Sequence, residues 1–217
     1  MFTGIIESVG KLTQLTPQND GYRVEISTGK LDLSDVKLGD SIASNGVCLT
    51  VIALNGDNFC ADVSGETVSL TGFADYSIGQ VINLEKAVTP TTRLGGHMVS
   101  GHVDGIGTIS RVEPKGNSCD YWINTPPNLM RYIALKGSIT IDGISLTVNG
   151  LDETSFRLTI VPHTSEETTI SSFNVGTKVN IEVDQIARYL ERLMSFKAPE
   201  QHSRVNMDLL ARSGFLK

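Results

Sequence analysis

Two pairs of residues have the spacing for chemistry: Cys48 with Thr50, and Ser145 with Thr147. Each pair sits in an apolar run, among Val47, Leu49 and Val51 in one case and Ile144, Leu146 and Val148 in the other. An extended strand alternates its faces with a period of two, so the thiol and hydroxyls share one face and the apolar side chains form the other. Ser145 is not in a G-x-S-x-G elbow, which points to a positioning role, bland strand hydrogen bonding aside, rather than acyl-type attack. Cys48 is either a small buried hydrophobe or a group that polarises or adds to a bound ring. His102 has the side chain best suited to moving a proton near neutral pH, with a structural histidine as the alternative. His97 and His102 lie five apart around Gly101 with no further ligands, so no metal site is expected.

The two pairs are copies of one stretch. Asn45-Gly46-Val47-Cys48-Leu49-Thr50-Val51 recurs as Asp142-Gly143-Ile144-Ser145-Leu146-Thr147-Val148, an offset of 97 residues. At that offset, without a gap, Met1 falls on Met98, Gly4 on Gly101, Gly10 on Gly107, Ser41 on Ser138, Phe59 on Phe156, Thr67 on Thr164, Gly79 on Gly176, Asn83 on Asn180 and Glu85 on Glu182. The chain is a tandem duplication. Asn-Gly and Asp-Gly tolerate the positive φ angles of a two-residue type I′ turn, and both are flanked by β-branched runs. Each copy therefore reads as a β-hairpin whose second strand carries the polar pair.

Such hairpins need a frame. The first half offers short alternating segments at 4–15, 22–27, 41–44, 47–54, 58–63 and 81–85. Strands this short and regular suit a small closed sheet, because closure removes open edges. The reading is all-β, with two six-stranded barrels at 1–88 and 98–184. A linker at 89–97 joins them where Pro90, Gly95 and Gly96 break the pattern. Residues 31–38 and 68–76 are expected to form short helical turns over the barrel ends, and 126–136 to repeat that cover. Ile186, Tyr189, Leu190, Leu193 and Met194 fall on one stripe of a helix at 185–197. It has no counterpart after the first barrel and suits either packing on the barrels or meeting partner helices. Asp184 opens it, where N-capping and catalysis are both open. Residues 198–217 read as a mobile tail.

A formal net charge of −6 and the lack of any basic run exclude a nucleic-acid surface. Cys48, Cys60 and Cys119 form no C-x-x-C pair and leave one over, against a disulfide framework or zinc site. There is no signal-peptide pattern and no run of about 18 apolar residues, so no membrane partner is expected and a cytoplasmic protein is. A flavin barrel of an oxidoreductase is disfavoured, since no G-x-G-x-x-G follows a strand.

Met1-Phe2-Thr3-Gly4-Ile5, the two hairpin stretches and Gly95-Gly96-His97-Met98-Val99-Ser100-Gly101-His102-Val103 together resemble riboflavin synthases of the alpha-chain type, over residues 1 to about 195. The resemblance implies tandem Greek-key barrels in a homotrimer held by C-terminal helices, with the first barrel of one subunit meeting the second of its neighbour. It implies a cofactor-independent transferase. Two 6,7-dimethyl-8-ribityllumazine molecules exchange a four-carbon unit, giving riboflavin and 5-amino-6-ribitylaminouracil. Two related half-sites meeting about an approximate two-fold axis suit that reaction. Holding both reactants removes translational and rotational freedom and lowers the barrier by roughly 7 to 11 kcal/mol.

Carried over by this resemblance, the reacting groups are Ser41, Cys48, His102, Ser145, Thr147 and Asp184. Ligand contacts fall on Gly4, Ile5 and Ile6; on Cys48, Leu49 and Thr50; and on Asp62, Val63, Ser64, Gly65, Glu66 and Thr67. They continue through Gly101, His102 and Val103; Ser145, Leu146 and Thr147; and Val161, Pro162, His163, Thr164, Ser165 and Glu166. Phe2 is expected to cap a ring. Lys136, beside Gly137, would alone read as a solvated lysine, and the resemblance makes it a ribityl or ring contact. The rival is a non-catalytic, antenna-type binder of lumazine or flavin on the same scaffold. G-x-[CS]-L-T-V in both halves, with His102 and Lys136, favours the enzyme, since a binder needs one good pocket.

Overall fold

In the computed structural model, which describes residues 1–196 and 207–215, both turn dipeptides adopt the φ pairs of type I′ turns. The angles are 46° and 79° at Asn45-Gly46 and 45° and 80° at Asp142-Gly143. Each hairpin belongs to a closed antiparallel barrel. The first consists of β1 (Ser8–Gln18), β2 (Gly21–Ser27), β3 (Ser41–Ser44), β4 (Val47–Asn55), β5 (Asn58–Val63) and β6 (Val81–Lys86), in the order β1-β2-β5-β4-β3-β6. The second consists of β7 (Gly105–Lys115), β8 (Ser118–Asn124), β9 (Ser138–Ile141), β10 (Ile144–Leu151), β11 (Ser155–Ile160) and β12 (Lys178–Val183), joined in the same circuit. Bulges recur at equivalent places, Leu12/Gln14 with Ile109/Arg111 and Val51/Ala53 with Val148/Gly150. The extra residue sharpens local twist, which a six-stranded sheet needs to close.

The alternation places side chains as the sequence requires. Val47, Leu49 and Val51 enter the first core with Ile26, Ile42, Phe59 and Leu84, while Cys48 is half-buried and Thr50 exposed on the outer face. In the second barrel Ile144 and Val148 are buried with Phe156 and Ile181, Leu146 is half-buried, and Ser145 and Thr147 face outward.

Three expectations fail locally. Residues 31–38 form turns rather than a helix, because the Asp32 carboxylate accepts from the Ser34 amide at 2.9 Å and Asp40 from the Lys37 amide at 2.8 Å. Helical cover begins earlier than residue 68, with α1 (Gly65–Leu70) and a 3-10 turn at Gly72–Ala74; the second half has α2 (Pro127–Met130), α3 (Pro162–Glu167) and a 3-10 turn at Thr169–Ser172. Residues 4–7 do not extend β1. The chain ahead of Ser8 runs between the barrels: the Glu7 amide bonds the Leu84 carbonyl of its own barrel, while Phe2 pairs with Val99 and the Gly4 carbonyl accepts from the Ser145 amide at 2.8 Å. Its copy does the reverse: the Gly101 carbonyl accepts from the Cys48 amide at 2.9 Å. Gly4 and Gly101 have φ of 76° and 80°, and an added Cβ would lie 2.5 Å from Ser145 Cβ or 2.6 Å from Cys48 Cβ. Only glycine allows so close a crossing.

Contacts between the barrels come in exchanged pairs. Asn83 Nδ2 donates to the Asp142 carbonyl at 3.0 Å, and Asn180 Nδ2 to the Asn45 carbonyl at 2.9 Å. The Gly72 amide donates to Asn180 Oδ1 and the Thr169 amide to Asn83 Oδ1, both at 2.8 Å. Such reciprocity is the mark of two-fold symmetry, here internal and approximate. The buried turn tips Gly46 and Gly143 touch across the axis, as do the buried Phe2 and Val99.

After β12, α4 (Gln185–Ser195) starts with the Ile186 amide donating to Asp184 Oδ1 at 3.0 Å. Capping is thus established for Asp184. The apolar stripe from Ile186 to Met194 is exposed, Met194 at 85%. Part of the expected mobile tail lies outside the described residues; within it, α5 (Met207–Arg212) is helical. Among the described residues no helix is long and apolar enough to cross a membrane.

Candidate active site

The outer face of β4 presents Cys48 to a cavity of about 230 Å³. One wall is α1, whose Ser64 Oγ caps it by accepting from the Thr67 amide at 3.2 Å, so that Glu66, Thr67 and Leu70 face Cys48. The other wall comes from the second barrel as Gly101, His102 and Val103. The second copy repeats the crossing. Ser145 is reached by Gly4 of the first barrel, and Ile6 packs on the second core as Val103 packs on the first. The copies were legible in the sequence, but their exchange was not. Each pocket is completed by the other barrel's lead segment.

The two copies differ in the side chain that the strand presents at this place, Cys48 in one and Ser145 in the other. Ser145 Oγ and His97 Nδ1 share a hydrogen bond of 2.7 Å. Burial holds His97 below the ordinary histidine pKa, with the Asp184 carboxylate opposing. The imidazole is therefore neutral at pH 7 and able to take a proton. Gly96 covers the pair so closely that a Cβ there would lie 2.7 Å from Ser145 Oγ. Among the described residues Cys48 has no such partner; its close neighbours are Gly101 and the Phe2 ring. Sequence reasoning weighed His97 only as a metal ligand. The signal was the Gly95-Gly96 pair before it, which permits close backbone approach.

Other expected residues spread around these pockets. Thr50 pairs with Ser41 across β3 and β4, and Thr147 with Ser138 across β9 and β10. Ser41 also lines a larger cavity of about 590 Å³ beneath the linker, beside Lys86 and Arg93. That cavity lacks the thiol, the imidazole and the helical wall, so size does not make it the reacting centre. Phe2, expected to cap a ring, is 1% exposed and packs against Cys48, Ala43 and Val99. Leu49 and Val63, 2% and 3% exposed, point into the core and offer a ligand only their backbone. Asp62 is tied to Arg23 by bonds of 2.8 and 3.0 Å, which hold its carboxyl below the usual range. Gly65 opens α1 against the Asp20 carboxylate. Val161 and Pro162 start α3, which carries His163, Thr164 and Ser165; Glu166 faces a separate groove with Lys30.

The lumazine binding domain matches this chain twice, over residues 3–87 and 100–184. The chain is 52% identical over 217 residues to the riboflavin synthase of Photobacterium phosphoreum, with both chains fully covered. It is 43% identical to that of Bacillus subtilis, over 99% of this chain and all of the other. The chain belongs to the riboflavin synthase family. The fold is shared with LumP, solved with 6,7-dimethyl-8-(1′-D-ribityl) lumazine and with riboflavin. The two structures give TM-scores of 0.77 and 0.79 at 24% identity over 85% of this chain, and cover 99% and 100% of LumP.

Membership of the riboflavin synthase family bears on Lys136. It is exposed with φ 65°, and its amide donates to the Val148 carbonyl at 2.8 Å. At the same place in the first barrel stands Gly39, φ 93°, bonded likewise to Val51. A lysine in the left-handed region costs about 1 kcal/mol that the glycine avoids. Lys136→Gly is expected to raise the urea-unfolding free energy by about 1 kcal/mol while lowering lumazine turnover. A variant no more stable than the parent, or one of undiminished activity, would remove the case that this lysine is held for a ligand.

Proposed function

We propose that the chain is a riboflavin synthase, converting two molecules of 6,7-dimethyl-8-ribityllumazine into riboflavin and 5-amino-6-ribitylaminouracil. The observation that carries this reading is the Cys48 cavity, walled by α1 and by the crossed Gly101 segment, together with the same crossing repeated between Gly4 and Ser145. One lumazine gives up a four-carbon unit and the other gains it, so atoms and electrons balance within the pair. The protein's work is to align the two rings and move protons. In the second pocket the Ser145 hydroxyl and neutral His97 can relay a proton. In the first, Cys48 and His102 line one cavity, and the thiol is the group assigned to face the bound ring.

The axis relating the two pockets of one chain is filled by Gly46 with Gly143 and Phe2 with Val99. Two substrates cannot meet across it, which supports a site between neighbouring chains. A first-barrel to second-barrel contact is head-to-tail, which gives a closed ring when its rotation is a simple fraction of a turn. A homotrimer fits that contact, with the exposed stripe of α4 available to join the subunits. We place the protein in the cytoplasm, where its three unpaired cysteines remain reduced.

Given the lumazine alone, the protein is expected to consume two equivalents for each riboflavin formed, followed by flavin absorbance, and to keep this activity after chelation. Binding without flavin formation would identify an antenna-type protein instead. Full-length identity of 52% to a synthase, against 24% to LumP, favours turnover.

A further inference from the structure

Two buried carboxylates have no part in the site described so far. Glu85 on β6 and Glu182 on β12 occupy equivalent places, each 4% exposed. Glu85 Oε1 accepts from the Thr3 amide at 2.6 Å and the Thr3 hydroxyl at 2.7 Å, and Oε2 from the Gly4 amide at 2.9 Å. Glu182 Oε1 accepts from the Ser100 amide at 2.7 Å and hydroxyl at 2.6 Å, and Oε2 from the Gly101 amide at 3.0 Å. No cation is among these partners. Three donors converging on one carboxylate fix the plane of a peptide, and a neutral amide cannot accept all three. The glycines so held, Gly4 and Gly101, are those whose carbonyls, one peptide further on, reach into the opposite barrel at Ser145 and Cys48.

We propose that Glu85 and Glu182 are positioning residues acting crosswise: Glu85 of the first barrel sets the Ser145 pocket of the second, and Glu182 of the second sets the Cys48 pocket of the first. A carboxylate that merely stabilised its own barrel would damage its own pocket or both alike. The crossed connection runs through two bonds only, carboxylate to glycine amide and glycine carbonyl to strand amide. The assignment rests on the reading of these pockets as ligand sites, and the test separates the two.

Riboflavin binding to the full chain is followed by fluorescence, with Cys48→Trp leaving only the second pocket and Ser145→Trp only the first. In the Cys48→Trp background Glu85→Gln is expected to weaken riboflavin by about tenfold or more, the effect of losing a bond to a charged group. Glu182→Gln should there have little effect; in the Ser145→Trp background the two exchange roles. Amide exchange in unliganded chains gives a readout that needs no ligand: Glu85→Gln should speed exchange at Ser145 and not Cys48, and Glu182→Gln the reverse. If a glutamine variant does not fold, Thr3→Ala and Ser100→Ala remove one donor each and should show the same crossing more weakly. Uncrossed or equal effects overturn the proposal. If neither blocked chain binds riboflavin, the ligand reading fails, and crossed or uncrossed amide exchange alone decides whether the carboxylates set the opposite barrel.

Discussion

A Cys48→Trp chain and a Ser145→Trp chain, each nearly inactive alone, will recover activity when refolded together. An indole fills the cavity that Cys48 faces, and at Ser145 it meets the crossed glycine segment. Gly101 and Phe2 close on Cys48, and Gly4 and Gly96 close on Ser145, all within contact distance of an added carbon. Overfilling such a site displaces the crossed segment as well as the ligand, so each variant should lose at least about a hundredfold in rate, a typical cost for misplaced reactants. In a mixed ring, an interface is intact when its first pocket comes from the Ser145→Trp chain and its second from the Cys48→Trp chain. Random assembly at equal amounts makes about one interface in four intact in a ring of head-to-tail contacts. Activity near a quarter of the parent value, appearing only after co-refolding, is the expected result. Mixed rings that form and stay inactive would place the reaction within one chain.

The second large effect is on stability against pH. Asp142 is buried where the barrels meet, with Oδ1 accepting from the Asn180 amide at 2.7 Å. Its copy, Asn45, also donates through Nδ2 to the Tyr76 hydroxyl at 2.7 Å. The second barrel has Phe173 where the first has Tyr76, so no equivalent hydroxyl faces Asp142. Tyr76 and Lys178 share a cavity of about 70 Å³ with it, and Lys178 is engaged with Asp75 at 2.6 Å. Burial pushes Asp142 up to about 7, with the Asn180 amide opposing. The folded pKa then exceeds the unfolded value near 4, so between them the folded state holds the extra proton. Stability is full below about pH 4 and falls as pH rises through 7, by roughly 4 kcal/mol at pH 8 on this linkage. Asp142→Asn keeps the acceptor and cannot ionise. It should match the parent near pH 4, exceed it by a few kcal/mol at pH 8, and show a shallower fall of the urea midpoint between, the remainder belonging to the buried Glu85 and Glu182, whose carboxyls burial also raises. A variant with the parent's slope would show that another group titrates there.

What could be read from sequence divides by the distance over which the cause acts. Asn45-Gly46 and Asp142-Gly143 form their turns because of their own φ preferences, and the alternation beyond them sets which side chains face out. That local chemistry, written twice, gave the barrels and placed Cys48 and Ser145. Residues 31–38 failed because Asp32 and Asp40 bond the nearby backbone, an alternative that hydrophobic spacing does not reveal. Phe2 read as a ligand cap because its burial depends on Val99 and Ala43, far along the chain. His97 escaped notice for a similar reason. Its partner Ser145 lies 48 residues away, and the duplication, so informative elsewhere, offers no second copy of the pair.

The crossing of the glycine segments also governs when the molecule can be finished. Gly4 is the first residue of its pocket to leave a ribosome, and Ser145 follows 141 residues later. At 5 to 20 residues per second, the lead segment waits roughly ten seconds or more for its partner. Closing so long a loop adds an entropic penalty that grows only logarithmically, but these contacts are nonlocal and form late. Meanwhile the first barrel can close its sheet while the Cys48 amide and the Gly4 carbonyl remain unpaired. Another nascent copy offers the counterparts of the missing groups, its own Gly4 carbonyl and Cys48 amide. The interval before Ser145 emerges is therefore when the chain is most open to pairing with a second nascent molecule, and most in need of a chaperone.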